Sequence, residues 1–320
     1  MWKILAKAET MTKRSVVLLF TTVCCLLWGS AFSCVKIGYR LTGIGTDDRM
    51  SQMLFAGMRF FLAGILTLIF GSIISGKMLL PKKGSGREIA ILSLFQTILQ
   101  YTFFYLGLAR TSGTRSSIIT ASNVFLSIMV SSIIFRTEKL TLRKALGSLI
   151  GFAGVVVINM GTSDLGGAVH FTGEGFIFLS ALSYAFSSAF IKRFSQHSDP
   201  VMLSGCQFVV GGAVMMMIGI IMGGRIPVVS LSGMAMLLYL AFVSSAAFSL
   251  WGLLLKYNPV SRIAVFGSMN PVFGVILSAL LLGEAAEMNV LRTAAALILV
   301  ICGIIIVNAV SATEKEKVLR

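Results

Sequence analysis

The chain is 320 residues long, 56% hydrophobic and only 12% charged, with a mean hydropathy of +0.91. Soluble domains carry about 25% charged residues, so a single soluble globule is excluded, and so is a disordered chain. The 27 Lys and Arg outnumber the 12 Asp and Glu for a net charge of +15; because these residues sit mostly between apolar runs, the surplus reads as membrane topology and not as a nucleic-acid surface.

Apolar runs fall at 16–38, 52–75, 88–109, 116–135, 144–160, 174–191, 200–222, 232–255, 261–282 and 292–310. Each is long enough for a spanning helix, the fifth and sixth being marginal. Lys3, Lys7, Lys13 and Arg14 precede the first run as in a signal peptide, but the run is too long for a signal core and has no convincing small-residue cleavage site, so a retained helix is expected. With the N-terminus placed in the cytoplasm, connections on that side hold nineteen Lys and Arg and those on the other side six. That asymmetry predicts a multi-pass protein of the cell (cytoplasmic) membrane with both termini cytoplasmic. A miscounted span would scramble the rhythm, so it also supports ten crossings.

Cys24, Cys25, Cys34, Cys206 and Cys302 all lie inside apolar runs, which argues against a disulfide framework. His170 and His197 fall in expected loops, leaving little for a metal site or His-based catalysis. No metal and no cofactor are expected.

The two halves repeat. Trp28 to Lys36 aligns with Tyr184 to Lys192, Arg59-Phe60 with Gln207-Phe208, Tyr105 with Trp251, Arg110 with Lys256, Glu138 with Glu284, and Gly154 and Asn159 with Gly303 and Asn308. Five spans per half is an odd number, so the second half enters the membrane from the opposite side. The expected fold is an all-α polytopic membrane protein of ten transmembrane helices built from two inverted five-helix repeats. Such repeats underlie many secondary transporters that bind substrate between their halves. The boundaries read from the sequence are a tail at 1–15, repeats at 16–161 and 174–310 joined by a linker at 162–173, and a tail at 311–320.

Leu27-Trp28-Gly29-Ser30-Ala31-Phe32 resembles the opening motif of the EamA family of the drug/metabolite transporter superfamily, and Asn270-Pro271 through Gly283-Glu284 is similar to that family's late signature. The first-half copy, Asn123 through Glu138, departs from it in having Phe125 where the second half has Pro271. The resemblance covers about residues 16 to 310. It implies ten helices, two EamA repeats, cytoplasmic termini, and export or exchange of small metabolites, commonly amino acids.

Polar groups inside a membrane are costly and face the bundle interior. Arg59 lies about eight residues, roughly 12 Å, into the second span, with Gln52 on the same face; its guanidinium can hold a carboxylate or phosphate bidentately. Lys36 lies toward the outer end of the first span, where it can bind or snorkel. Gln96 and Gln100 stand at i,i+4 beside Tyr101 and Tyr105, able to line a wet cavity or to bond neighbouring helices. Ser116, Thr120, Asn123, Ser127 and Ser131 form one polar stripe on the fourth span, opposite an apolar counterpart of Phe266, Met269, Phe273 and Leu277. Trp28, Tyr184 and Trp251 can supply aromatic walls or an interfacial belt. Gln207 is the repeat partner of Arg59. Pro271 interrupts its helix near Gly267 and permits a kink, beside which Asn270 can reach a central cavity. Gly147, Gly151 and Gly154 form a small-residue stripe for close packing. All acidic residues fall in loops, tails or span ends, so the usual carboxylate proton relay is missing.

The expected function is therefore a secondary transporter of a neutral or zwitterionic small molecule, most simply an amino acid, working by alternating access. The alternative is an organic-anion or phosphorylated-metabolite exchanger; a non-transporting scaffold is remote. With no P-loop, no His in a span and no mid-membrane Asp pair, an enzyme is not expected. The expected partners are a small-molecule substrate and the lipid bilayer, with no nucleic acid. Two complete halves are compatible with a monomer.

Overall fold

The computed structural model describes residues 8–82, 84–108, 110–111, 113–160, 171–282 and 290–309, and these contain helices and loops without a strand. Among the described residues nine helices are long and apolar enough to cross a membrane, and a shorter apolar helix, Ile118–Ile134, occupies the fourth run. In chain order the spans are α1 (Arg14–Thr42), α2 (Arg49–Ser75), α3 (Gly86–Leu108), α4 (113–134), α5 (Leu142–Asn159), α6 (Phe171–Phe194), α7 (Pro200–Ile221), α8 (Leu231–Tyr257), α9 (Val260–Leu281) and α10 (Val290–Asn308). The segments 161–170, covering most of the expected linker and His170, and 283–289, with Glu284, lie outside the described residues, as does the tail 311–320.

Hydrogen bonds place both described ends on one face. Asn258, which follows α8, donates to the Met11 carbonyl; the nearby Ser261 N–H donates to Glu138, between α4 and α5; and Arg143 at the start of α5 donates to the Ala309 carbonyl after α10. Two ends on one face require an even number of crossings, so the fourth helix completes ten.

Glycines make the duplication and its inversion visible. Along α2 and α7, Leu54 meets Gly219, Gly57 meets Met216, Phe61 meets Gly212, Gly64 meets Val209, and Leu68 meets Gly205. Each step up one helix is a step down the other, so these two equivalent helices run antiparallel. Gly57 and Gly64 are the repeat counterparts of Gly205 and Gly212. A Cβ on Gly212 would sit 2.4 Å from the Phe61 nitrogen, which is why these positions carry no side chain. The same pattern joins α5 to α10, where Gly147, Gly151 and Gly154 face Val307, Gly303 and Val300. That is the close packing expected of the small-residue stripe. α2 and α7 also begin alike, capped by Asp48, which accepts from the Ser51 N–H, and by Asp199, which accepts from the Val201 and Met202 N–H groups.

α1 packs against α8 and α9. Gly29 makes this possible, since a Cβ there would lie 2.7 Å from Phe273 Cβ. The Cys24 thiol donates to the Ala247 carbonyl, the Cys25 thiol to the Phe266 carbonyl, and Ser33 pairs with Ser278 at 2.8 Å. All described cysteines are unbonded to one another.

Four spans depart from regular helix; α6 opens with a π-helical turn, Phe171–Gly175. α3 is π-helical over Ser93–Leu99, α4 breaks at Ser122 and ends in a π-helical stretch, Val130–Ile134, and α9 is 3-10 over Val265–Ser268. The α9 irregularity precedes Pro271, whose ring nitrogen has no hydrogen for the Gly267 carbonyl. α4 breaks at the equivalent place without a proline; there the Ser122 hydroxyl takes the Ile119 carbonyl instead.

Candidate functional site

At the middle of the bundle an aromatic chain crosses from one repeat to the other. Trp28, fourteen residues from either end of α1, lies edge-on to Trp251 and to Phe248, both at 5.0 Å. Phe248 meets Phe208 at 4.9 Å, Phe208 stacks on Phe60 at 5.2 Å with 13° between planes, and Phe60 contacts Tyr101 at 4.5 Å. Trp28 and Trp251 therefore belong to this wall and not to an interfacial belt. Tyr184 approaches the same centre from α6, near Tyr101 and Cys25.

Arg59 stands beside this wall. Its side chain is 7% exposed, its guanidinium lies 4.6 Å over the Phe60 ring, and its Nε donates to Ser244 Oγ at 3.2 Å. Ser244 lies thirteen residues from either end of α8, so the charge sits at mid-membrane depth. Among the described residues no carboxylate lies within 4 Å of Arg59. A lone cation at that depth costs several kcal/mol, of which a face-on aromatic returns about 0.5–2. The hydroxyls of Tyr39, Tyr101 and Tyr105 lie within electrostatic reach of it, and Tyr39 and Tyr105 are 3.3 Å apart.

Within the bundle several buried polar atoms have no hydrogen-bond partner among the described residues: Trp28 Nε1, Gln96 Oε1, Gln100 Oε1, Thr120 Oγ1, Ser127 Oγ, Gln207 Nε2 and Asn270 Oδ1. Native interiors leave few such groups, and all of these fall on residues singled out from the sequence. Gln207 is half satisfied, its Oε1 accepting from Thr97 Oγ1 at 2.7 Å. Ser116 and Ser131, also on the α4 stripe, are likewise buried without partners. Asn123 is half-buried beside the α4 break.

Gln52, on the helical face that Arg59 shares, is engaged in the α1–α2 loop: its Nε2 donates to the Gly45 and Thr46 carbonyls and its Oε1 accepts from Arg49. Lys36 is exposed. Gln96 and Gln100 are not one regular helical turn apart, because the π-helical stretch shifts their register. Sequence reasoning missed Ser244, Thr97 and the Phe60–Phe208–Phe248 wall. The aligned pairs Arg59-Phe60 and Gln207-Phe208 carried the available signal. An open cleft of about 650 Å³ between Leu68 and Leu80 lies at the end of α2 among exposed residues and holds none of these groups.

Such a centre can hold an anionic group on Arg59 and cover an apolar body with aromatic rings, and the buried glutamine and asparagine oxygens can accept N–H donors. Two antiparallel five-helix repeats around it define an inverted-repeat membrane transporter. The chain belongs to the EamA-like transporter family, whose model matches residues 15–160 and 171–309. It is 28% identical to an uncharacterized transporter of Archaeoglobus fulgidus over 92% of this chain and 98% of that protein. It is 26% identical to the uncharacterized inner membrane transporter YedA of Escherichia coli over 81% of this chain and 80% of that one. It is also 25% identical to a chloroplastic WAT1-related protein of Arabidopsis thaliana, matching 80% of this chain but spanning only 61% of the plant protein. A solved crystal structure with 20% identity superposes with a TM-score of 0.75, covering 92% of this chain and 97% of that one, a likeness of fold alone.

Proposed function

We propose that this membrane transporter moves a small zwitterionic or neutral metabolite, most simply an amino acid, across the cytoplasmic membrane by alternating access, with both termini cytoplasmic. The observation that carries this reading is Arg59, a buried cation at mid-membrane depth with no carboxylate within 4 Å among the described residues. It meets a substrate carboxylate; the unpaired oxygens of Gln96, Gln100 and Asn270 accept from an ammonium or other polar hydrogens; and the rings of Trp28, Tyr101, Tyr184 and Trp251 cover the apolar remainder. Thr120, Asn123, Ser127 and Gln207 add polar contacts, and Lys36 acts at the rim. Neither a metal nor a cofactor enters, and one chain with two repeats suffices as the working unit.

The test is a thermal-shift screen of amino acids, sugars and organic acids in detergent, followed by counterflow of the stabilising solute in proteoliposomes. A ligand stabilises the form it binds. Arg59→Gln should weaken binding of a carboxylate-bearing solute about tenfold to a hundredfold, the loss of a charge-assisted bond worth about 1.5–3 kcal/mol. Absence of counterflow for every stabilising solute would defeat the reading. The same arginine supports a second reading, an organic-anion or phosphorylated-metabolite exchanger. Stabilisation by dicarboxylates or phosphate esters but not by amino acids would select it.

A further inference from the structure

Of the two carboxylates that tie α4 to the second repeat, one sits at each face of the membrane. Glu138 follows the end of α4 on the face that carries both described ends. Its side chain is 7% exposed. It accepts from the Ser261 N–H at 2.9 Å, from the Ser261 hydroxyl, and from Lys144 Nζ at 2.6 Å, with Lys192 of α6 in electrostatic reach. Ser261 lies in the first turn of α9, so the carboxylate of one repeat caps a helix of the other. Charge-assisted bonds to a helix N-terminus are among the stronger polar contacts available. On the opposite face Arg115, in the first turn of α4, meets Glu174 Oε1 at 2.8 Å, and Thr111 donates to the same oxygen at 2.8 Å. Glu174 lies at the start of α6.

Between these ends α4 has few polar ties. The hydroxyls of Ser116, Thr120, Ser127, Ser131 and Ser132 are buried without partners among the described residues, and the helix is broken at Ser122. Its position against the second repeat is thus fixed by packing and by the carboxylate at each end, and the break lets the two ends move separately. α9, the repeat counterpart that Glu138 caps, is irregular at the equivalent place.

We propose that Glu138 is a latch that closes the termini-bearing face of the transporter, and that Glu174 is its counterpart on the other face. This rests on the alternating-access reading, which requires each face to open while the other stays shut. Releasing Glu138 from Ser261 and Lys144 frees the first turn of α9 from the end of α4 and opens a path between them. Cys25 lies beneath that junction: it is fully buried, its thiol donates to the Phe266 carbonyl of α9, and it packs in one core cluster with Val124 of α4.

The experiment measures the rate at which a small water-soluble methanethiosulfonate modifies Cys25 in the full-length chain carrying Cys302→Ser, which removes the exposed thiol. Cys206, buried in α7, is the comparison. Glu138→Ala should raise the Cys25 rate about tenfold with Cys206 unchanged, and Glu174→Ala should not raise it. A Cys25 rate within twofold of the parent in Glu138→Ala, or an equal rise at Cys206, would overturn the latch. Should Glu138→Ala not fold, Ser261→Ala, which removes only the hydroxyl, should still raise the Cys25 rate about threefold, and no rise would overturn the proposal. Labelling needs no substrate, so a failure of counterflow bears on the transport reading alone.

Discussion

Gly212→Ala tests the helix crossing on which the site is built. The added Cβ would sit 2.4 Å from the Phe61 nitrogen, 2.8 Å from the Phe61 Cα and 2.9 Å from the Gly57 carbonyl. All three are backbone atoms of α2, so no side chain can turn aside. Restoring an ordinary contact of 3.4 Å requires α2 and α7 to separate by about 1 Å at the crossing. A gap of about 0.5–1 Å forfeits a quarter to a half of the dispersion energy of the atoms lining it. Overpacking of this kind costs about 1–3 kcal/mol, and backbone contact on every side places Gly212 at the upper end. For a protein of this size that is a fall in Tm of about 3–5 °C. Gly45→Ala, which meets nothing within 4 Å, is the matched control. The assay is thermal unfolding in detergent followed by tryptophan fluorescence, which reads Trp28 and Trp251 within the central wall. A Gly212→Ala protein that melts with the Gly45→Ala control would refute the argument that glycine sets the α2–α7 distance.

Two further outcomes follow from single contacts. Thr67 and Ser245, buried and 2.8 Å apart, join α2 to α8; a Thr67→Val/Ser245→Ala double-mutant cycle should give a coupling of about 0.6 kcal/mol, the usual size for such bonds in membranes, and a coupling near zero would remove this tie. At the start of α2, the hydrogen bond from Ser51 holds the Asp48 carboxyl below its ordinary value. Because the folded value is the lower, the stabilisation is present above the unfolded pKa of about 3.9 and is lost as pH falls through the folded one. The Tm advantage of the parent over Asp48→Ala should therefore shrink on acidification below about pH 4; a constant difference would contradict it.

Which features were legible depended on the length over which each is encoded. Span number and family came from properties spread over the chain, namely hydropathy, charge rhythm and the repeated motifs, so errors of a few residues at each boundary did not matter. Gly147, Gly151 and Gly154 were readable because small residues at helical spacing have few other uses within an apolar run. The irregular turns were not readable. Nothing in Ser93 to Leu99 marks a π-helix, and α4 breaks at Ser122 without the proline that announces the α9 irregularity. Periodicity arguments assume a constant 100° per residue, an assumption that the π-helical stretch before Gln100 breaks. Gln52 shares a helical face with Arg59, but its loop partners, the Gly45 and Thr46 carbonyls, could not be read from that periodicity. Ser244 was overlooked because one serine in an apolar helix carries no signal until its partner is known.

The repeat also explains why the site is unequal in charge. Phe60 and Phe208 are equivalent residues, and they stack on each other, so the pseudo-twofold axis passes close to them. The polar contacts beside them are mirrored: Arg59 bonds Ser244 of α8, and Gln207 bonds Thr97 of α3. A charge placed next to such an axis cannot be duplicated cheaply, because its copy would stand a few ångströms away in a medium of low dielectric. At an effective dielectric of about 20 and a separation of about 6–8 Å, two like charges repel by about 2–3 kcal/mol. One arginine and one glutamine is the arrangement that places a cation at the centre without that repulsion. Gln207→Arg alone should accordingly lower the Tm, while the exchanged pair Arg59→Gln/Gln207→Arg, with one charge moved across the axis, should recover most of the loss. An exchanged pair no more stable than Gln207→Arg would show that the two positions do not face each other across the axis, and that the lone charge at 59 has another cause.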